Sequence, residues 1–364
     1  MGNASYYAVI MAGGGGVRLW PLSRQKHPKQ MIRLWGERSL FELAVERLEG
    51  VFAPEQILVV TVAEQATQLQ ALCPQIPTQN YILEPMGRGT AAVVGLAAAV
   101  LHKRDPQAVM AVLTADHFIR NVAGFQQLLR AGYAAAQDGY LVTLGIRPTF
   151  AATGYGYIQR GAMLGEYEGV CAFEVRKFKE KPEAQAAQAM LAEGDHDWNS
   201  GMFFWRVQRI AEEFEQHMPK LAGVLHTLEQ VWDTPEQQPR LQELWPTLEP
   251  VMIDYGIMEK ARRVVVLPAG ELGWNDMGSW ESAFEVLPTD ENGNIILSEQ
   301  FVGLDTQQTF VYAHETDRVV VGIGLKDLIV VDTADALLIC DRHDAQSVRK
   351  VVALLKEKGY TCYL

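Results

Sequence analysis

The sequence predicts an α/β fold: a mostly parallel, mixed sheet flanked by helices over residues 1–290, then a small β-rich unit over residues 291–364 closed by a helix. Two observations carry this expectation. Strand-like apolar runs alternate with helix-patterned stretches through the first part, and such alternation puts helices on both faces of a parallel sheet. From about Asn292 the texture changes to short β-like pieces separated by turns, which points to an all-β unit of solenoid-like form.

Taken in order, Tyr7 to Met11 is an apolar, β-compatible run that empties into Gly13, Gly14, Gly15 and Gly16. Backbone N–H groups without side chains can approach an anion there. Arg18, Trp20-Pro21-Leu22 and Pro28-Lys29-Gln30 follow. A helix is expected from Leu40 to Leu48, and strands at Ile57–Val60, Tyr81–Leu83, Val109–Leu113 and Leu141–Ile146. Glu84-Pro85-Met86-Gly87-Arg88-Gly89-Thr90 leads into a small-residue helix ending near His102, with Thr90 placed to cap it and Arg88 to reach a nucleotide. Pro182 to Ala192 reads as a helix closed by Gly194. Between Leu221 and Leu248 the pattern is helical but rich in Gln and Glu, which predicts surface helices interrupted at Pro235, Pro239 and Pro246. In the last part, strands are expected at Ile295–Leu297, Phe310–Tyr312, Val319–Val321, Leu328–Val331 and Leu337–Ile339, and an amphipathic helix from Ala345 to Lys358.

Composition narrows the function classes. The chain has 364 residues, 48% hydrophobic and 21% charged, in the range of an ordinary globular protein. Its formal net charge of −12 argues against a nucleic-acid partner, so a polyanion must be met at a local basic site. Cys73, Cys171, Cys340 and Cys362 lack Cys-x-x-Cys spacing, which argues against a zinc site or a disulfide framework and for free thiols. The longest apolar stretch, Ala91 to Leu101, is too short to span a bilayer and no signal-type segment opens the chain; no membrane partner and a cytoplasmic location are expected. A homo-oligomer such as a dimer is left open, since β-rich terminal units often mediate association.

Several residues can carry chemistry. Asp116, in Thr114-Ala115-Asp116-His117, follows a strand and could hold a hard cation or simply form a turn. Asp276, in Gly273-Trp274-Asn275-Asp276-Met277-Gly278-Ser279-Trp280, is either a second such ligand or an Asx-turn packed by aromatics. Lys181 stands at a strand-to-helix junction after Glu180, where a cation can grip a phosphate as a point charge. Asn199, in Trp198-Asn199-Ser200-Gly201, can hydrogen-bond sugar hydroxyls or serve the core. Thr153-Gly154-Tyr155-Gly156-Tyr157 offers bare backbone beside aromatic walls, or a tight hairpin.

In this order, these segments resemble the sugar-1-phosphate nucleotidylyltransferases, and most closely the mannose-1-phosphate guanylyltransferases, over nearly the whole chain. The resemblance implies a Rossmann-like domain followed by a short left-handed β-helix, and the reaction of GTP with mannose 1-phosphate to give GDP-mannose and pyrophosphate. It implies that Gly13 to Gly16 wrap the triphosphate, that Arg18 and Lys29 balance its charge, and that Asp116 and Asp276 hold Mg²⁺. Lys181 would grip the sugar phosphate, Glu180, Asn199 and the Gly154 backbone would contact the sugar, and Glu84, Arg88 and Thr90 would lie by the nucleoside. The family's serine, threonine and asparagine are replaced here by Gly15, Val17 and Gly89. The competing expectations are a relative using another nucleotide or sugar, and a non-catalytic subunit that binds nucleotide sugars.

Overall fold

A computed structural model describes residues 4–14, 16–34, 36–313 and 318–364. Two compact units are distinguished, Met1–Gly13 with Val45–Ala115 and Arg120–Leu272, and Gly14–Ala44 with Asp116–Ile119 and Gly273–Leu364. The division passes through the glycine run.

The first unit is built on β1 (Tyr6–Met11), β2 (Ile57–Val62), β3 (Tyr81–Glu84), β4 (Val109–Thr114), β5 (Leu141–Ile146), β6 (Tyr157–Tyr167), β7 (Val170–Lys179), β8 (His196–Arg206) and β9 (Val264–Pro268). Among the described residues these form a nine-stranded sheet in the order β3-β2-β1-β4-β8-β5-β9-β7-β6, with β6 also paired to β8. β1 lies parallel to β2 and β4, β2 to β3, and β5 to β9. β8 runs antiparallel between β4 and β5, and β7 antiparallel between β9 and β6. All six residues of β5 are buried, as expected of a strand covered on both faces.

The helix Thr90–Arg104 is alanine- and valine-rich, and its residues from Ala91 to Leu101 are all buried. A helix apolar on every side must be packed on every side. Gly95 allows this: a Cβ there would come within 2.5 Å of Leu225 Cδ1 on the helix Pro219–Val231. The expected surface helices of the 221–248 segment are corrected by this packing. Leu221, Leu225, Leu228, Leu241 and Trp245 belong to the core, because each helix turns one apolar stripe inward while its Gln and Glu residues face out. Pro239 does not break its helix, Gln237–Leu244, since a first-turn residue has no intrahelical N–H bond to lose. The helix expected from Pro182 runs Ala184–Glu193 and ends at Gly194 in the left-handed region, φ +74°.

The second unit coils. β10 (Ile295–Leu297), β12 (Phe310–Tyr312) and β14 (Leu328–Asp332) stack in parallel, as do β11 (Phe301–Leu304) and β13 (Val320–Ile323). Ile295, Phe310 and Ile329 sit on adjacent rungs and point into one core. β15 (Leu337–Asp341) closes the stack antiparallel to β14, and the helix Val348–Glu357 ends the chain, its expected first turn being 3-10 over Arg342–Ser347. β11 is a rung that sequence patterning does not single out, because Val302 and Leu304 face outward and only Phe301 is half-buried. No described helix is long and apolar enough to cross a membrane.

Candidate active site

In the second unit, the basic residues and the two candidate metal ligands converge. Gly16 adopts φ +53°, and a Cβ on it would come within 2.2 Å of Lys29 Cβ, so glycine is required for Lys29 to pass. Lys29 is buried at 7% exposure, and its Nζ donates to Asp116 Oδ2 at 2.7 Å and to the Asp276 carbonyl. Arg18 Nη1 lies 3.5 Å from the Gly278 carbonyl, at the long limit of a hydrogen bond. The Asp276 carboxylate accepts the Gly278 N–H at 3.0 Å, an Asx-turn, and Gly278 must lack a Cβ because one would fall 2.7 Å from Asp276 Oδ2.

The electrostatics favour charged oxygens. Burial pushes the Asp116 carboxyl up, but Lys29 and then His117 outweigh it and hold the group below the usual range. Trp274 donates its indole N–H to His117 Nδ1 at 3.1 Å, and Nε2 of that ring faces Asp116 at 3.9 Å. Burial and then Asp276 raise the neighbouring Glu285, which accepts from Asn275 Nδ2 at 2.6 Å. The cluster therefore offers hard oxygen donors beside fixed positive charge.

The first unit holds two further groups. Glu84, at the end of β3, is 3% exposed, and its Oε1 would lie 3.0 Å from a Cβ on Gly13. Burial pushes its carboxyl up to about 7, against the Arg88 backbone N–H and the Trp245 indole. Among the described residues, Oε2 of Glu84 has no hydrogen-bond partner. Arg88 donates to the Pro246 carbonyl at 2.8 Å. Thr90 does not cap its helix: Gly89 is the N-cap, and the Thr90 hydroxyl accepts the Ile253 N–H at 2.8 Å. That bond braces the chain before a π-helical turn, Asp254–Met258.

The sugar-phosphate candidates form the other group. Lys181 Nζ donates to Glu180 Oε1 at 2.6 Å, with Glu180 8% exposed and the lysine half exposed. Asn199 Nδ2 donates to Asp254 Oδ1 at 2.8 Å, while its Oδ1 accepts the Gly201 N–H at 3.1 Å. Burial, helped by Glu180, pushes the Asp254 carboxyl up to about 6. Gly154 is open, with no described residue other than its chain neighbours within 4 Å of where a Cβ would stand; Gly156 is the tight position, since its Cβ would lie 2.3 Å from Glu180 Oε2.

Sequence reasoning thus misses Asp254 and Glu259, whose Oε1 accepts the Glu180 N–H at 3.1 Å. The signal available for both is one short stretch, Asp254-Tyr255-Gly256-Ile257-Met258-Glu259. Gly15 lies outside the described residues. Among the described residues, the group of three side chains with metal-binding atoms within 4.8 Å of one another is Glu193, Asp195 and His196, away from Asp116 and Asp276 in sequence and in the first unit.

The family model described as "Nucleotidyl transferase" matches residues 7–293, and that of the "MannoseP isomerase/GMP-like beta-helix domain" matches residues 299–355. The mannose-1-phosphate guanylyltransferase of Escherichia coli K12 is 38% identical over 99% of this chain and 75% of its own length. The corresponding enzyme of Salmonella typhimurium is 39% identical over the same shares. A crystal structure from Thermus thermophilus, described as a mannose-1-phosphate geranyltransferase, superposes with a TM-score of 0.85 at 35% identity, covering 97% of this chain and 99% of that one. Matched along nearly its whole length in both sequence and fold, the chain belongs to the nucleotidyl transferase family and, within it, to the mannose-1-phosphate guanylyltransferases.

Proposed function

We propose that the chain transfers GMP from GTP to mannose 1-phosphate, releasing pyrophosphate and forming GDP-mannose. The observation that carries this reading is the Lys29–Asp116–Asp276 cluster, in a chain similar throughout to mannose-1-phosphate guanylyltransferases. A nucleoside triphosphate and a sugar phosphate are substrates in keeping with the family, which generally uses a divalent metal. Residues 1–290 would carry the transfer, and 291–364 would form the β-helix-like domain.

The sugar-phosphate oxygen is already anionic at neutral pH, so its attack on the α-phosphorus needs no general base. A bond forms from that oxygen to the α-phosphorus as the bond to the bridging β-phosphate oxygen breaks, and pyrophosphate leaves with the electron pair. The protein's task is to bring two polyanions together and offset the charge that builds up. Gly13, Gly14, Gly15 and Gly16 would wrap the triphosphate; support comes from Gly14, where a side chain would begin more than 4 Å from any described residue other than its chain neighbours. Arg18 and Lys29 would offset phosphate charge.

Glu84 would face the nucleoside with its unpartnered buried oxygen, while Arg88 and Thr90 hold the backbone around it. Lys181 would exchange its Glu180 contact for the sugar phosphate, leaving Glu180, Asn199 and the Gly154 backbone for sugar hydroxyls. Asp116 and Asp276 are the ligands we assign to Mg²⁺, because they present only oxygen donors and Asp116 is kept ionised by its neighbours. When bound, the ion supplies charge neutralisation on the α-phosphate and the leaving pyrophosphate.

We also infer a cytoplasmic location, supported by cysteines that form no disulfide among the described residues; light scattering tests whether the chain forms a homo-oligomer such as a dimer, which would read twice the 40.5 kDa chain. A pyrophosphate-release assay over a grid of nucleoside triphosphates and sugar 1-phosphates tests the reaction. GTP with mannose 1-phosphate should be among the fastest pairs; a clear preference for another pair would replace this assignment.

A further inference from the structure

The first unit contains a cavity of about 400 Å³ that none of the residues assigned to either substrate lines. Its wall includes Gly145, Arg147, Arg160, His196 and Asp197. A volume of this size suits a small ligand, and polar groups converging on one cavity are the usual mark of such a site.

The floor of the cavity is polar and incompletely satisfied. Asp197 is 3% exposed, and its Oδ2 lies 3.3 Å from Arg160 Nε, yet neither atom has a hydrogen-bond partner among the described residues. His196, also buried, turns its Nδ1 to two acids, 2.7 Å from Asp195 Oδ1 and 3.4 Å from Glu193 Oε2. Buried polar groups are costly when unpaired, and a buried ion pair offsets its desolvation only when further hydrogen bonds complete it. Burial pushes the Asp197 carboxyl up to about 6 even though Arg160 pulls against it, which marks the same incomplete compensation.

The arrangement is built rather than incidental. Gly145 has to be glycine for Asp197 to lie where it does, since a Cβ there would stand 2.7 Å from Asp197 Oδ2. Arg160 is fixed by donating from Nη2 to the Gly194 carbonyl at 3.1 Å. Arg147 is exposed at the edge of the cavity, and among the described residues it has no ion-pair or hydrogen-bond partner. Two guanidinium groups thus face one buried carboxylate and one imidazole. Guanidinium pairs select phosphate oxygens, and a carboxylate with an imidazole nitrogen accepts from hydroxyls.

We propose that this cavity is a second ligand site, which takes a phosphate monoester carrying free hydroxyls, with its phosphate at Arg147 and Arg160 and its hydroxyls toward Asp197 and His196. Such a ligand is either a sugar phosphate or a nucleoside monophosphate. A cation is disfavoured by the two arginines.

Calorimetric titration of the full chain with mannose 6-phosphate and, separately, with AMP tests this and tells the two sources apart. At least one should bind at one site per chain. Arg147→Ala, a change of an exposed side chain, should weaken that binding by about tenfold or more while leaving transferase activity intact. Asp197→Asn should weaken it as well. Lys181→Ala, which strips the proposed phosphate grip from the substrate site, should leave it unchanged. The proposal fails if neither compound binds at millimolar concentration, if Arg147→Ala binds as the wild type does, or if Lys181→Ala loses binding to the same extent as Arg147→Ala.

Discussion

Gly89 stands where the family's asparagine is replaced, and its backbone explains why this chain keeps glycine. The residue adopts φ +80°, and a Cβ would come within 2.3 Å of the Val251 carbonyl, which already accepts the Ala91 N–H at 3.1 Å. Gly89→Asn is therefore expected to cost about 1–3 kcal/mol in chemical denaturation, through strain and a displaced Val251 segment; an unchanged denaturation midpoint would refute this. Glu84 makes a second prediction. Its folded-state pKa of about 7 lies above the ordinary value of 4.5, so the carboxyl favours folding while protonated, and that contribution is lost as pH rises from 4.5 through 7. Glu84→Gln should melt with the wild type near pH 4 and above it near pH 8, and a gap that does not widen with pH would contradict the burial argument. Lys29→Ala should lower kcat by about 10²–10³-fold with an unaltered circular-dichroism spectrum. Near-wild-type turnover would remove Lys29 from the charge-neutralising set.

Elements differ in how visible they are from sequence, and the reason is topological. β1, β2, β3, β4 and β5 are short, apolar and separated by helical stretches, so their alternation alone places them in a parallel sheet. β8 is not visible in this way: it enters between β4 and β5 from far along the chain, and its aromatic run from Trp198 to Trp205 reads equally well as generic core. In the β6–β7 hairpin, β7 is legible from the alternation of Phe173 to Lys179 ahead of Lys181, whereas β6 is not, since only Tyr157 and Ile158 of it are buried and the rest shows no apolar period. At the site, the glycines, lysines and aspartates lie in compact motifs and are legible. Asp254 is a lone acid among apolar neighbours, and only its contact with Asn199, distant in sequence, reveals it. The helix Thr90–Arg104 supplies a prediction at this scale: Gly95→Leu would drive a side chain into Leu225, overpacking a core where both helices are fully buried at the contact. The expected loss is about 1–3 kcal/mol, read from the denaturation midpoint.

At the scale of the molecule, the second unit ties the C-terminal coil to the loop that carries Arg18 and Lys29. Leu19, Trp20, Leu22, Ile32 and Leu34 share one core with Trp280, Ile295, Phe310, Tyr312 and Ile329. Hydrogen bonds repeat the connection: Trp280 donates to the Trp20 carbonyl at 2.9 Å, Trp20 donates to the Tyr363 carbonyl at 2.7 Å, and Arg24 pairs with Asp335 through two bonds of 2.8 and 2.6 Å. The coil therefore acts as a support for the basic loop. Phe310 is the residue on which to test this, because it is fully buried, lies 5.3 Å from Trp280 between ring centroids and has no place in the proposed chemistry. Phe310→Ala should cost about 3–5 kcal/mol through the cavity it leaves. If support is the coil's role, the variant assayed well below its melting temperature should also show a raised KM for GTP, because Lys29 and Arg18 would be held less firmly. Asp335→Ala removes only an exposed ion pair and should cost less than about 1 kcal/mol, leaving that KM unchanged. A Phe310→Ala enzyme that is destabilised but keeps the wild-type KM for GTP would separate the coil from the triphosphate loop and reduce it to a folding scaffold.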